Sequence, residues 1–461
     1  MTSHLTYSLH PPCKERKKTQ LRIPESHALY VCPPACARRF AIRAHKNGIA
    51  STASFLQLTE ADLVSGAYEK QVIEAVGTLL ETLPKQPRAL QIFVNCVDDF
   101  LGTDNDALKH EIESAFPALR VSIAHINPIA RDVDNNSIGK MLSGLYSLLE
   151  APEQHDVGIT TLGSFVPISY ESEFYAALAE FRDKLNFNDT PIPQGEIPVR
   201  HVVTCETFEE YQQLSKSAIV LSLSNSGDRL AETFKDEFGM ACVPWHATYS
   251  IETVENNYTL LINALVQACL RVFKSVSSDA RSIVESGTAV YLFFEKFKTH
   301  TAVNYALDAL GDMPIYVDSA ATFEPYTLAL NLLDYGFNVQ AVYAFHLKGS
   351  RDSARNKLKK AYPKVKIYTD ADDFELHNKA AKKSVSAVQD AKQEALAIGA
   401  DCAFITSSKY VLDMYHDEGY FGYNGIQRLM CEMMDAVKPS GEGKAKLSHK
   451  KQQKQKGEGG A

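Results

Sequence analysis

The chain has 461 residues, 45% apolar and 23% charged, a globular composition too long for one hydrophobic core. A formal charge of −8 excludes a general nucleic-acid surface, and no run approaches the ~20 apolar residues of a membrane span. The basic N-terminus (Lys14, Arg16, Lys17, Lys18, Arg22) lacks a signal-peptide core, and nine cysteines form no paired framework; a cytoplasmic chain with free or metal-bound thiols is expected.

Short apolar runs predict strands at residues 89–97, 121–126, 157–162, 200–205, 218–223, 289–294, 315–318, 339–345, 365–368 and 402–406. Helical periodicity predicts helices over 68–82, 172–184, 226–238, 254–273, 299–309, 323–333 and 385–398. Most strand runs are continuous rather than alternating, as parallel strands covered on both faces are. The fold class expected is α/β, with three Rossmann-like doubly wound parallel-sheet domains. The rhythm restarts near residues 157 and 288, giving units over 1–155, 156–285 and 286–437. Residues 186–198 read as a loop, and the Gly, Lys and Gln tail over 438–461 reads as disordered, or as an electrostatic docking arm.

There is no GxxxxGK[ST], so no ATP site of the chain's own is expected, and no GxGxxG, HExxH or GxSxG. The cysteines carry the chemistry. Cys32 and Cys36 lie in Val31-Cys32-Pro33-Pro34-Ala35-Cys36-Ala37, where prolines keep the backbone irregular, and Cys13 follows His10-Pro11-Pro12. Cys96 ends the strand Leu90-Gln91-Ile92-Phe93-Val94-Asn95, at the carboxyl end where parallel sheets place their sites. Three thiolates from separate loops and one outside ligand complete a four-iron cluster; buried cysteines also serve as small core residues. Cys205, Cys242, Cys269, Cys402 and Cys431 have strand or helix settings that suit the core.

The segment Val31–Ala37 resembles the HGPxGC loop of nitrogenase component 1 proteins, with Pro33 at the proline and Cys36 at the cysteine; Cys32 and Ala35 replace its glycines. Cys96 with Gly102-Thr103-Asp104 is similar to the strand-end cysteine of that family and the turn after it. The stretch Asp62-Leu63-Val64-Ser65-Gly66-Ala67-Tyr68-Glu69-Lys70 resembles the Gly-rich lead between them. The separations, 23 residues from Cys13 to Cys36 and 60 from Cys36 to Cys96, are family-like. Residues 156–163 are similar to the opening of the second unit, 231–243 to its later helix and turn, and Gly419-Tyr420-Phe421-Gly422-Tyr423-Asn424-Gly425 to the closing motif. The resemblance covers about residues 10–435.

It implies three Rossmann-like domains paired with a like subunit, as a homodimer or a paralogous heterodimer. It also implies an iron–sulfur cluster, 4Fe-4S or related, at or near the subunit interface, held by Cys13, Cys36 and Cys96. Cys32 is an extra candidate that substitutes for Cys13, adds a ligand or simply packs. Residues 221–228 carry no cysteine where true nitrogenases hold their cofactor, and His416 is out of register for the cofactor histidine, so dinitrogen reduction is not expected. The chain looks closer to nitrogenase-like reductases that use only an iron–sulfur cluster. In these an ATP-hydrolysing iron protein delivers electrons, for a small-molecule substrate in the cleft between the units. A metallocofactor scaffold or carrier, or a non-catalytic structural subunit, would keep the same fold. Asp98, Asp99, Asp104 and His125 are candidate proton donors or structural caps, and Ser224-Asn225-Ser226-Gly227 is an anion-binding turn or an ordinary helix cap.

Overall fold

Thirteen strands form three parallel sheets among the described residues of this computed structural model, which are 22–126, 137–186, 196–273, 278–345, 352–369, 372, 376 and 393–438. In the first sheet, β1 (Ser26–Cys32), β2 (Ala53–Gln57), β3 (Ala89–Asn95) and β4 (Val121–Ile126) lie in the order β2-β1-β3-β4. In the second, β5 (Asp156–Leu162), β6 (Val199–His201), β7 (Ser217–Ser222) and β8 (Ala241–Pro244) lie in the order β6-β5-β7-β8. The third holds β9 (Ile315–Asp318), β10 (Val339–Tyr343), β11 (Lys366–Tyr368), β12 (Gln393–Ile398) and β13 (Ser408–Leu412), in the order β11-β10-β9-β12-β13. Each sheet starts at an inner strand, winds outward, then returns to the other side. The resulting crevices open beyond the carboxyl ends of β1/β3, β5/β7 and β9/β12, where open α/β sheets bind their ligands.

Period-two alternation decides which side chains meet. Along β1, Leu29 and Val31 pack with Val72 and Val76 of the Tyr68–Thr82 helix and Leu108 of the Asn105–Ala115 helix. Ala28, Tyr30 and Cys32 turn to the opposite face with Phe93 and Ala124. There Tyr30 stacks on Phe40, Phe55 and Phe93 at 4.9, 5.3 and 4.8 Å, each pair contributing about 0.5–1.5 kcal/mol beyond area burial. The second and third sheets share one core, in which Ile159, Ile219 and Leu221 join Ile315, Val317 and Leu396.

A buried carboxylate ties these two sheets' helices together. Glu173, opening the Glu173–Asn186 helix, accepts the backbone N–H groups of Tyr423 (2.5 Å) and Asn424 (3.2 Å) and the Tyr258 hydroxyl (3.0 Å). Those amides begin the Gly422–Val437 helix, so the carboxylate caps a second helix across the core. Gly422 sits at φ 65°, and a Cβ there would overlap Glu173 Oε1, which explains the glycine in the closing motif.

Several expected elements differ. Residues 289–294 are not a strand; they lie inside a 33-residue helix, Ser278–Leu310, whose inward face buries Leu292, Thr299, Val303, Ala306 and Leu310 at helical spacing while Phe293 and Phe294 stay exposed. Residues 402–406 belong to the helix Ala400–Thr406, between β12 and β13. The C-terminal part of the helix expected over 385–398 is strand β12, an inner strand whose Ala395–Ile398 is wholly buried; residues 385–392 lie outside the described ones. The strand expected over 200–205 stops at His201 and gives way to a 3-10 turn. No helix among the described residues is long and apolar enough to cross a membrane.

Candidate functional site

Two hydrogen-bonded strands end together in the first crevice. β1 pairs with β3 in the register Tyr30↔Phe93, so the strand ends bring the segments after Cys32 and Asn95 side by side. Pro33, at φ −59° and ψ 156°, turns the chain, and Pro34 starts the Pro34–Lys46 helix with Cys36 in its first turn. Asn95 accepts the Val97 N–H at 3.0 Å and starts the Cys96–Leu101 helix. Cys36 and Cys96 are both half-buried, each in the first turn of a helix. Exposed Arg38, Arg39 and Arg43 on the Cys36 helix make this wall cationic, which suits an anionic group. Cys32 is 1% exposed within the Ala28, Tyr30 and Phe93 cluster; burial, with a smaller contribution from neighbouring Cys36, pushes its thiol up to about 12. Cys13 lies outside the described residues. Cys269 and Cys402 are buried as expected, whereas Cys242 and Cys431 are exposed rather than core.

A polar cluster backs Cys96. Asp98, 2% exposed, accepts the Tyr68 hydroxyl at 3.1 Å and Asn105 Nδ2 at 2.7 Å. The same amide lies 3.0 Å from His125 Nε2, while His125 Nδ1 faces Asp99 at 3.6 Å and Asp98 at 3.7 Å, beyond hydrogen-bond length. Among the described residues, buried Asn95 Nδ2, Asn105 Oδ1 and His125 Nδ1 have no hydrogen-bond partner, so polar capacity beside Cys96 is left for a guest. Asp104 has the capping role, accepting the N–H groups of Asp106 and Ala107. Two half-exposed thiols, a cationic wall and unspent polar atoms fit an iron–sulfur group at this crevice; Cys36 and Cys96 would hold it.

The second crevice opens into a narrow, partly open cleft between the second and third sheets. Gly163 follows β5 at φ 84° and packs backbone to backbone on Gly227; a Cβ on Gly163 would lie 2.8 Å from Gly227 Cα. The Ser224 hydroxyl donates to Gly163 O at 2.6 Å, so Ser224 braces the turn while the Asn225–Phe238 helix points its first residues into the cleft. Across the mouth Asn225 Nδ2 donates to Glu324 Oε1 at 3.0 Å. His246, just after β8, bonds Asp228 at 2.8 Å, and Ser222 donates to the same carboxylate at 2.6 Å. Burial works to raise the Asp228 carboxyl, but those two hydrogen bonds outweigh it and hold it below its ordinary value.

His416 lines the same cleft, stacked on Phe323 at 4.5 Å. It and Asp417 adopt left-handed backbone, φ 48° and 57°, a strained pair of the kind found at ligand sites. Asp417 holds the bend by accepting the Tyr249 and Thr322 hydroxyls and the Phe323 N–H at 2.6, 2.9 and 2.9 Å; burial pushes its carboxyl up to about 6. Among the described residues, no cysteine lines this cleft. His246 and Glu324 were not singled out from sequence, because each comes from a segment distant from the Ser224 turn.

The third crevice is filled from within. Asp318, at the end of β9, accepts the N–H groups of Ala320, Ala321 and Cys402 at 2.8–3.0 Å, occupying the start of the Ala400–Thr406 helix. Gly399 stands at φ 116°, and a Cβ there would overlap that carboxylate.

The solved structure "Nitrogenase Cp1 at pH 6.5" superposes on this chain with a TM-score of 0.60 and 15% identity, covering 95% of this chain and 94% of that one. "Nitrogenase Cp1 at pH 5" covers 92% and 88% at 14% identity, with a TM-score of 0.49. At such identity the likeness concerns the fold. No curated protein matches the sequence. The model of the family described as nitrogenase component 1 type oxidoreductase matches residues 19–438, and the chain belongs to that family.

Proposed function

We propose that this chain is the catalytic component of a nitrogenase-like reductase, holding an iron–sulfur cluster at the first crevice and a small-molecule substrate in the second. The observation that supports the proposal is that Cys36 and Cys96, each half-buried, open the two helices that follow the paired strands β1 and β3. We assign them, with Cys13, as ligands; Cys32 is left to the core, since its side chain is buried among Ala28, Tyr30 and Phe93. When bound, a thiolate-held cluster supplies one-electron transfer at low potential.

The chain's own residues do the rest. The Asn225 helix start and its amides orient a polar or anionic part of the substrate. Of the two cleft imidazoles, His246, braced by Asp228, is the one assigned to proton transfer. A substrate other than dinitrogen fits the stretch 221–228, which carries Ser and Asn where true nitrogenases hold their cofactor with a cysteine. With no phosphate-binding loop in the sequence, the energy input falls to an ATP-hydrolysing iron-protein partner, and a like subunit completes the assembly.

The test is visible and low-temperature EPR spectroscopy of anaerobically purified wild type, Cys36→Ala and Cys96→Ala, oxidised and reduced. Each variant should lose the cluster signal while its far-UV circular dichroism stays native. A signal of wild-type intensity in either variant refutes the ligand assignment. A cluster that forms but never turns over with a reductase partner points instead to the carrier role.

A further inference from the structure

β4 lies beside β3 in the register Val94↔His125, so His125 stands level with the strand end from which the Cys96–Leu101 helix starts. Its Nδ1 is shut off from solvent and faces two carboxylate oxygens, Asp99 Oδ1 at 3.6 Å and Asp98 Oδ2 at 3.7 Å. One nitrogen and one oxygen from each carboxylate thus gather within 4.8 Å of one another. The spacing is too long for an N–H···O bond, which closes at about 3.2 Å. It is also too short for a bridging water, which holds its two partners roughly 4.5 Å apart. It matches a shared cation, whose bonds of about 2.0–2.2 Å at tetrahedral angles set neighbouring ligand atoms roughly 3.3–3.6 Å apart.

Charge and unpaired atoms point the same way. Asp98 is 2% exposed, and its hydrogen bonds from Tyr68 and Asn105 come from uncharged groups. Among the described residues no lysine or arginine pairs with it, and its one ion-pair neighbour is His125. Buried carboxylates are paired or bind metals. Nine buried side-chain atoms have no hydrogen-bond partner among the described residues, and four of them belong to this corner: Asn95 Nδ2, Thr103 Oγ1, Asn105 Oδ1 and His125 Nδ1. A buried polar corner left so unsatisfied is built around a guest.

We propose that the end of β4 and the helix after β3 hold one divalent metal ion, bound by His125 Nδ1 and the Asp98 and Asp99 carboxylates. One imidazole nitrogen and two carboxylate oxygens suit an ion of the manganese(II), iron(II) or zinc(II) class. Asp99, with its side chain 38% exposed, opens the way in, and buried Asp98 is held in place by Tyr68. With a metal on Nδ1 the ring proton sits on Nε2, which lies 3.0 Å from the Asn105 amide. A turn of that amide offers the proton its Oδ1, the atom now without a partner, and such an outer contact orients metal-bound imidazoles. The ion staples β4 to the helix that begins with Cys96. No thiol takes part, so the inference stands apart from the proposed cluster and needs no turnover.

Room-temperature EPR of free manganese(II), titrated into the anaerobically purified full-length chain, tests it, because a bound ion leaves the sharp six-line signal. Wild type should take up one ion per chain at a saturable site. Asp99→Asn and His125→Gln should each weaken that uptake by at least ~10-fold, with circular dichroism as the fold control. The Cys36→Ala/Cys96→Ala variant should bind manganese(II) as wild type does, which separates this site from the thiols. A second measurement, electron spin echo modulation of the bound ion, should show nitrogen coupling in wild type and none in His125→Gln loaded with excess metal. A wild type without a saturable site, variants that bind as wild type does, a bound ion without nitrogen coupling, or uptake lost with the two cysteines overturns the proposal. None of these outcomes bears on whether Cys36 and Cys96 hold a cluster, which the iron content reads separately.

Discussion

Replacing Glu173 by Gln changes one atom's chemistry at a carboxylate that caps a helix from across the core. Burial is the largest influence on this carboxyl and pushes it up to about 7, against hydrogen bonds from Tyr258, Asn424 and Tyr423 that favour the charge. A folded-state value above the unfolded value of about 4.5 means the folded chain holds the proton longer, so the carboxyl's contribution to stability falls as pH rises between 4.5 and 7. Integrating that shift, wild type loses about 2 kcal/mol relative to a non-titrating side chain between pH 5 and pH 7.5. The amide also places an N–H group among backbone donors, costing about 1–3 kcal/mol at either pH. Urea unfolding of both proteins at the two pH values separates the effects. The destabilisation by Glu173→Gln should be about 2 kcal/mol smaller at pH 7.5 than at pH 5. A destabilisation equal at both values, or larger at pH 7.5, refutes the reasoning that burial governs this group.

Cys32→Ala should lower stability by about 1–3 kcal/mol through lost core packing and leave bound iron unchanged, checked by denaturation and iron assay. Gly399→Ala forces a Cβ onto the Asp318 carboxylate at a backbone angle alanine rarely adopts; a loss of about 3 kcal/mol or more, or failure to fold, should appear in thermal melts. Tyr249→Phe removes the 2.6 Å hydrogen bond to buried Asp417 and should cost about 1–3 kcal/mol, read from urea midpoints. His246→Ala should leave the cluster's visible spectrum intact while cutting turnover with the reductase partner by about 10²-fold, as removal of a proton donor does.

Where hydrophobic periodicity and burial coincide, the fold was legible. The helix over 68–82 and the strands over 121–126 and 315–318 occupy the bounds read from sequence. Strand β1 escaped because Ser26 and His27 dilute its apolar pattern, although all seven residues are buried. β2 and β13 are half-exposed edge strands, whose short, mixed sequences carry little period. Tyr291, Leu292, Phe293 and Phe294 look like a strand after Gly287, yet the helix runs through that glycine. Its outward rings are exposed on the helix surface, so an apolar run alone could not assign them. The Ser224 turn was readable as strand, turn and helix. The cleft was not, because His246 and Glu324 reach it from segments far apart in sequence. The closing glycine motif was visible as a pattern, but its physical reason, the Glu173 carboxylate against Gly422, lies about 250 residues away.

Iron and acid-labile sulfide, determined with the visible spectrum on the full-length chain purified without oxygen, test the central claim most directly. The account predicts a brown protein with about four irons and matching sulfide per chain, or half that if two chains share a cluster. A colourless protein, still free of iron after anaerobic reconstitution, would contradict it.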